Sequence, residues 1–268
     1  MIESTRIAIV GVGSIGSRHI DNLLAMGYQD LVGVDPRPMP HEERLPVVSE
    51  FRDLEAWRPT HALICSPPWL HFHHAKYFVD QGIPTFIEKP MTVSNVEASE
   101  LCATAHLNKS ILAVGYMERA HPTVQEVYSL RSSIRKLTVE CFWMAQPKTY
   151  NLDVMAESSH ALDVALWLLG PIQATWRSAT QQVATVKIRH ISGASSTINM
   201  SMNADQPYRK LTAELAEGNV YTRRYGTTSE EWDTCYKAEM QAFLGGAPLC
   251  TGEDGLKVVE ILEEVERW

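Results

Sequence analysis

The chain predicts an α/β fold in which a doubly wound parallel sheet is followed by a second, mixed domain. Three observations carry that prediction. Short apolar strands alternate with helical stretches as far as residue 116. A glycine-rich turn, Gly11-Val12-Gly13-Ser14-Ile15-Gly16, stands between the first strand and the first helix. Farther on, strand patterns follow one another without intervening helices.

At 268 residues there is length for two ordinary domains with ample core. A formal net charge of −8 argues against a nucleic-acid surface and for a solvated acidic exterior. No apolar run approaches the roughly 20 residues that span a bilayer, so no membrane insertion is expected. The first strand opens at Arg6, which leaves no room for a signal peptide. The five cysteines are scattered and include no Cys-x-x-Cys pair. They predict reduced thiols in a cytoplasmic protein, with neither a disulfide frame nor a zinc site.

Arg6-Ile7-Ala8-Ile9-Val10 reads as a buried strand, and Ser17 to Met26 as the helix after the turn. Gly11 permits the tight turn, Gly13 lets the backbone approach a pyrophosphate, and Gly16 lets helix and strand pack closely. Val12, Ser14 and Ile15 complete that cradle, where the helix end offers free N–H groups and partial positive charge. The strand Leu31 to Val34 ends at Asp35, about 20 residues beyond the glycines, where a carboxylate binds a ribose 2′-hydroxyl. Asp35 repels a 2′-phosphate and favours NAD. Arg37 could accommodate that phosphate and keeps NADP open.

Val47-Val48 and a short helix near Asp53 to Trp57 lead to the strand His61 to Cys65, which stops at Ser66-Pro67-Pro68. Trp69 to Gln81 then reads as a helix. His71 and His74 share a face of it, but no carboxylate or cysteine nearby completes a ligand set. No metal is expected, and these histidines read as helix-surface or cofactor-side groups. Thr85 to Ile87 is a strand that ends in Glu88-Lys89-Pro90. Pro90 cannot donate to a ladder and pushes Lys89 toward an extended conformation. Ligands gather outside the carboxyl ends of parallel strands, which would set Lys89 facing a cleft. Three residues alone fit equally well with an exposed Lys–Glu pair worth almost nothing. Thr92 to Leu107 is a helix with Ser94 and Glu97 spaced as a capping box, and Ile111 to Val114 is a strand reaching Gly115-Tyr116.

In the second half, Pro122 to Leu130 reads as a linking helix and Leu137 to Trp143 as a strand with one solvated face. Gln146 to Asp153 is expected to be a loop closing over the cleft. Ala156 to Leu169 is a helix stopped by Gly170-Pro171. Glu157, His160 and Asp163 fall on one polar ridge of it, and Leu162, Ala165, Leu166 and Leu169 on the core side. Periodicity alone also fits an ordinary amphipathic helix with solvated charges. Strands follow at Ala174 to Gln182, Val183 to Ile191, Ser195 to Asn203 and Leu211 to Leu215, with turns at Ser192-Gly193 and Gly218-Asn219. Trp232 to Leu244 and Gly255 to Trp268 close the chain as helices. The domain boundaries read as 1–120 and 121–268.

Several of these pieces, in this order, resemble the Gfo/Idh/MocA family of nicotinamide-dependent oxidoreductases. They are Gly11 to Gly16; Ser66-Pro67-Pro68 with His71 and Ala75; Glu88-Lys89-Pro90; and Ala113 to Tyr116 with Arg119 and Pro122. His160 with Asp163 before an apolar run and Gly170 resembles the family's second signature. The resemblance implies a Rossmann domain, then an α+β domain on an open, mostly antiparallel sheet, with the closing segment packed back on the first domain. It also implies that the Ser66-Pro67 loop and Glu88 run along the cofactor, with Lys89 beside the nicotinamide and the reacting carbon. His160 becomes the general acid/base, with Glu157 or Asp163 orienting it, and Lys89, Tyr116, Arg119 and His160 touching substrate. Two positions depart from the family pattern. Met117 stands where relatives carry a polar group, and Ala156 where many carry a carboxylate that Glu157 offers one residue later.

The expectation from these readings is reversible hydride transfer between NAD (NADP possible) and a hydroxyl-bearing carbon of a sugar, sugar derivative or cyclitol. The expected partners are that small molecule and further copies of the chain, as a dimer or tetramer. Nucleic acid and membrane are not among them. Two alternatives stay open: a non-catalytic NAD(H)-binding homologue acting as sensor or partner protein, and a reductase of a non-sugar carbonyl or imine.

Overall fold

The structure, a computed structural model, describes residues 5–37, 44–143, 154–226 and 228–263. Two units can be distinguished, one formed by Met1–Tyr116 with Tyr236–Glu263 and the other by Met117–Cys235.

The first unit runs β1 (Ile7–Val10), α1 (Ser14–Ala25), β2 (Leu31–Val34), β3 (Val47–Val48), β4 (His61–Ile64), α2 (His71–Val79), β5 (Thr85–Ile87), α3 (Asn95–Asn108) and β6 (Leu112–Val114). Its sheet has the order β3-β2-β1-β4-β5-β6, and every pairing is parallel. The chain builds outward from β1 to β3, then crosses back to add β4. That reversal puts the crevice of a doubly wound sheet at the carboxyl ends of β1 and β4. Helices on both faces explain why β1 and β2 are buried at every residue and read as continuous apolar runs. Ile7, Ile9, Leu63 and Phe86 from the sheet meet Ile20 and Leu23 of α1 in one core, with Met240 and Phe243 added from the end of the chain. Burial of each such side chain contributes about 1.5–3 kcal/mol.

Local departures from the sequence reading have local causes. The short helix expected near Asp53 is a 3-10 turn over Phe51–Leu54. A second 3-10 turn, Pro68–Leu70, precedes α2, because its proline fits a first turn but cannot donate inside a helix. Ser94 sits at the N-cap of α3 without a side-chain bond, so the expected capping box does not form. The Asn95 N–H instead donates to the Glu263 carboxylate at 3.3 Å, an acid brought to the positive end of the helix from far along the chain.

The second unit opens with a 3-10 turn, Met117–Ala120, and α4 (Pro122–Ser129), whose N-cap His121 accepts the Thr123 N–H through Nδ1. β7 (Ile134–Phe142), α5 (Val154–Glu157), α6 (Ser159–Leu169), β8 (Ile172–Ala179), β9 (Val183–His190), β10 (Ser195–Ser201), β11 (Tyr208–Leu215) and β12 (Val220–Tyr225) follow. The sheet order is β12-β11-β7-β10-β9-β8; β7 and β10 pair in parallel and the rest are antiparallel. β12 was not legible in the sequence, being an edge strand, Val-Tyr-Thr-Arg-Arg-Tyr, with almost no apolar alternation. The helix expected from Ala156 onward is two pieces, broken at Ser158. Ten of the eleven residues of α6 are buried, His160 and Asp163 among them, so there is no solvated ridge. A helix apolar nearly all round belongs in an interior, and α6 lies on β7 and β10.

The last helices are α7 (Ser229–Leu244) and α8 (Gly252–Glu263). Within the first unit, α8 packs on α3 and β6, and the Val114 N–H donates to the Cys250 carbonyl at 3.1 Å. The expected cleft-closing loop, Gln146 to Asp153, lies outside the described residues, as do the final five residues of the expected closing helix.

Candidate active site

The glycine turn is built as a cradle. Gly11 has φ +86°, and a Cβ there would stand 2.7 Å from the Ser66 nitrogen, so only glycine fits. A Cβ on Gly16 would lie 2.0 Å from the Gly11 carbonyl oxygen, which is the close helix–strand approach the spacing predicted. Gly13 differs, because a Cβ there meets nothing within 4 Å. Gly13 is also the N-cap of α1 and brings no capping side chain. The first-turn amides of Ser14 and Ile15 therefore point, without an intrahelical acceptor, at the open space over Gly13. Open space, partial positive charge and unused donors suit an anion such as a pyrophosphate.

At the next strand end, Asp35 is 5% exposed. One carboxylate oxygen accepts the Val12 N–H at 3.3 Å; the other accepts the Arg37 N–H at 3.1 Å and its Nε–H at 3.3 Å. Val12, the second residue of the turn, is thus tied to the acid at the end of β2. Arg37 is bound to Asp35 but leaves most of its side chain in solvent.

The loops after β4 and β5 are tied together by His71, which is buried and not on the helix surface. Its Nε2 lies 2.7 Å from the Ser66 carbonyl and its Nδ1 2.8 Å from the Pro90 carbonyl. Burial holds its pKa below the ordinary value, against the opposing pull of those carbonyls and of Glu88. The Ser66 hydroxyl lies 2.9 Å from His74 Nδ1; burial, then the neighbouring His71 and His73, lowers the His74 pKa to about 4. Pro67 is the N-cap of the following 3-10 turn. The Lys89–Pro90 peptide is cis, and Lys89 is half-buried.

Glu88 is buried, and both its oxygens are engaged: Oε1 lies 2.7 Å from His19 Nε2, and Oε2 accepts the Lys89 N–H at 3.1 Å. Burial raises its pKa, but the hydrogen bond and charge of His19, with Lys89, outweigh this and leave it below the ordinary value. His19 was not singled out from the sequence. A lone histidine on a helix gives no sign that it faces inward. Tyr116, expected to touch substrate, is fully buried at the end of this unit.

In the second unit His160 is 5% exposed in the first turn of α6, and Glu157 ends α5 just before it. Asp163 and Arg119, expected to orient the histidine and to touch substrate, pair with each other. Arg119 Nε donates to Asp163 Oδ2 at 2.9 Å and Nη2 to Oδ1 at 2.6 Å. The guanidinium also lies 5.4 Å from the Trp167 ring centroid. Met117 is buried. Among the described residues no group of three or more His, Cys, Asp or Glu side chains is arranged to hold a metal, and no helix is long and apolar enough to cross a membrane.

Glycine turn, uncapped helix end and strand-end carboxylate together define a dinucleotide-binding α/β protein. Comparison with known proteins narrows this. Residues 5–116 match the model of the Gfo/Idh/MocA oxidoreductase family, NAD-binding Rossmann fold. The chain is 29% identical over 175 residues to UDP-N-acetylglucosamine 3-dehydrogenase of Acidithiobacillus ferrooxidans, covering 62% of this chain and 54% of that protein. It is 26% identical over 184 residues to inositol 2-dehydrogenase of Rhodococcus erythropolis, covering 62% and 53%. The match thus spans about half the length of each of these relatives. The fold is that of the WlbA dehydrogenase from Bordetella pertussis, solved with NADH and UDP-GlcNAcA: TM-score 0.87, 18% identity, 100% of this chain and 96% of that one covered.

Proposed function

We propose that the chain is an NAD-dependent oxidoreductase acting on a hydroxyl-bearing carbon of a sugar, sugar derivative or cyclitol. The observation that carries this reading lies within the first unit. The glycine turn after β1 and Lys89 after β5 leave the same carboxyl edge of one parallel sheet, on either side of β4. A lysine there stands along the path of a dinucleotide whose pyrophosphate sits on α1.

Bound nicotinamide supplies the hydride acceptor or donor. The turn amides and Asp35 bind and orient the dinucleotide, and Asp35 selects NAD by its charge. Lys89 holds the negative charge that develops on the substrate oxygen. His160 accepts the hydroxyl proton on oxidation and returns it on reduction, with Glu157 beside it in sequence as the group that orients it. Arg119 and Asp163, satisfied by each other, keep α6 in place.

The inositol and sugar-nucleotide relatives support the substrate class. Five free, buried cysteines fit a reducing, cytoplasmic setting. The second sheet has one face that carries Trp176, Val183 and Val220 in exposed positions, which supports assembly of further copies through it.

The test is turnover on a panel of sugar nucleotides, free sugars and cyclitols. Lys89→Met should bind NADH as the unsubstituted protein does and lose turnover, and His160→Asn should do the same. Unchanged turnover in Lys89→Met would remove the lysine from the mechanism, and with it this reading.

A further inference from the structure

The peptide that carries Lys89 is held from behind by a buried pair. Glu88 places one carboxylate oxygen 2.7 Å from His19 Nε2 and gives the other to the Lys89 N–H at 3.1 Å. His19 is fully buried on α1, one turn past Gly16. Its ring meets Phe86 and Tyr236 edge-on, with centroids 5.5 Å away in each case. Those two rings fix the imidazole plane. On the other side of the carboxylate lies Gly115, where a Cβ would come within 3.2 Å of Glu88 Cδ and Oε2. The carboxylate is therefore boxed between an imidazole packed edge-on against two rings and a strand end that carries no side chain.

We propose that His19 is a positioning residue for Lys89. By holding Glu88 it fixes the Lys89 backbone, and it makes the lysine's placement depend on the helix whose first turn receives the pyrophosphate. The inference rests on the reading of Lys89 as the group at the reacting oxygen. Stability alone does not account for the arrangement, since apolar residues of similar shape can replace both members of a buried hydrogen-bonded pair at little loss. What an apolar pair cannot supply is an acceptor for the Lys89 N–H. The lowered Glu88 pKa, in which the hydrogen bond and charge of His19 outweigh burial, agrees with a carboxylate ready to accept from both sides.

Glu88-Lys89 is the one Glu–Lys step in the chain, so carbonyl-13C glutamate with 15N lysine labels a single amide. In His19→Leu the Lys89 amide proton should move upfield as its acceptor drifts, and kcat should fall on the order of 10- to 100-fold. The NADH Kd should hold. In His19→Gln, whose side-chain N–H can donate to Glu88 again, the resonance and most of kcat should return. A folded His19→Leu with an unmoved Lys89 amide overturns the proposal, as does His19→Gln behaving no better than His19→Leu. Should His19→Leu not fold, His19→Met fills the site with an unbranched side chain that cannot donate to Glu88, and an unmoved Lys89 amide again overturns the proposal. Failure of the unsubstituted protein to turn over any alcohol would count against the enzymatic reading, while the amide resonance decides the coupling by itself.

Discussion

Arg119 and Asp163 meet through two parallel hydrogen bonds, 2.9 and 2.6 Å long, with both side chains sealed from solvent. The pair joins the turn at the start of the second unit to the middle of α6, and Gln125 holds the Arg119 carbonyl at 2.6 Å. Removing one member strips the other of its two-point partner inside the fold. Asp163→Ala should cost about 3–5 kcal/mol of unfolding free energy. The double variant Arg119→Met/Asp163→Leu should cost much less than the sum of the single losses. Urea titration of the four proteins checks this, and additive losses would show that the two side chains do not act as a pair.

The glycines of the turn separate folding from binding. Gly13 has open space where a side chain would go and an ordinary negative φ, so Gly13→Ala should fold with an unchanged Tm. The added methyl then occupies the place of the pyrophosphate, and NADH affinity should fall at least about tenfold, the equivalent of one lost hydrogen bond to a charged group. Gly16→Ala should instead lower Tm, since its Cβ would collide with the Gly11 carbonyl. Calorimetry and NADH fluorescence, read side by side, distinguish the two. A Gly13→Ala protein that binds normally would show that the dinucleotide does not lie over this turn.

Acid should destabilise the first unit through His74. Its folded pKa is about 4, depressed from 6.5 by burial and by His71 and His73. Between those values the unfolded chain binds the proton and the folded chain does not, so stability falls as pH drops from 6.5 toward 4. His74→Gln removes that proton and should flatten the decline of Tm over this window. An equally steep decline in the variant would place the acid sensitivity elsewhere.

The first unit was readable because each of its strands ends in residues with few uses. Gly11 stands where only glycine's positive φ is tolerated, Pro90 limits the backbone after Lys89, and Asp35 follows the glycines at a set distance, so type and spacing alone locate them. The second unit was harder. The sequence placed Glu157, His160 and Asp163 on one ridge because periodicity measures angle around a helix, not what lies outside it. It could not show that α6 is enclosed on nearly every side, or that Asp163 belongs to an arginine 44 residues earlier. His19 escaped notice for the same reason: its partner, Glu88, is 69 residues away. β12 escaped because an edge strand exposed along most of its length needs no apolar alternation.

The single parallel pairing in the second sheet sets the timetable by which that unit can form. β7 is emitted first, yet both its neighbours, β10 and β11, are made only from Ser195 onward. Hairpins such as β8–β9 can close locally within microseconds, but the strand at the centre must wait for distant chain before any of its own ladder exists. On a ribosome, β7 therefore emerges unpaired, with the apolar face of Ile134, Leu137, Val139 and Cys141 uncovered. That face needs shelter until the rest of the sheet arrives.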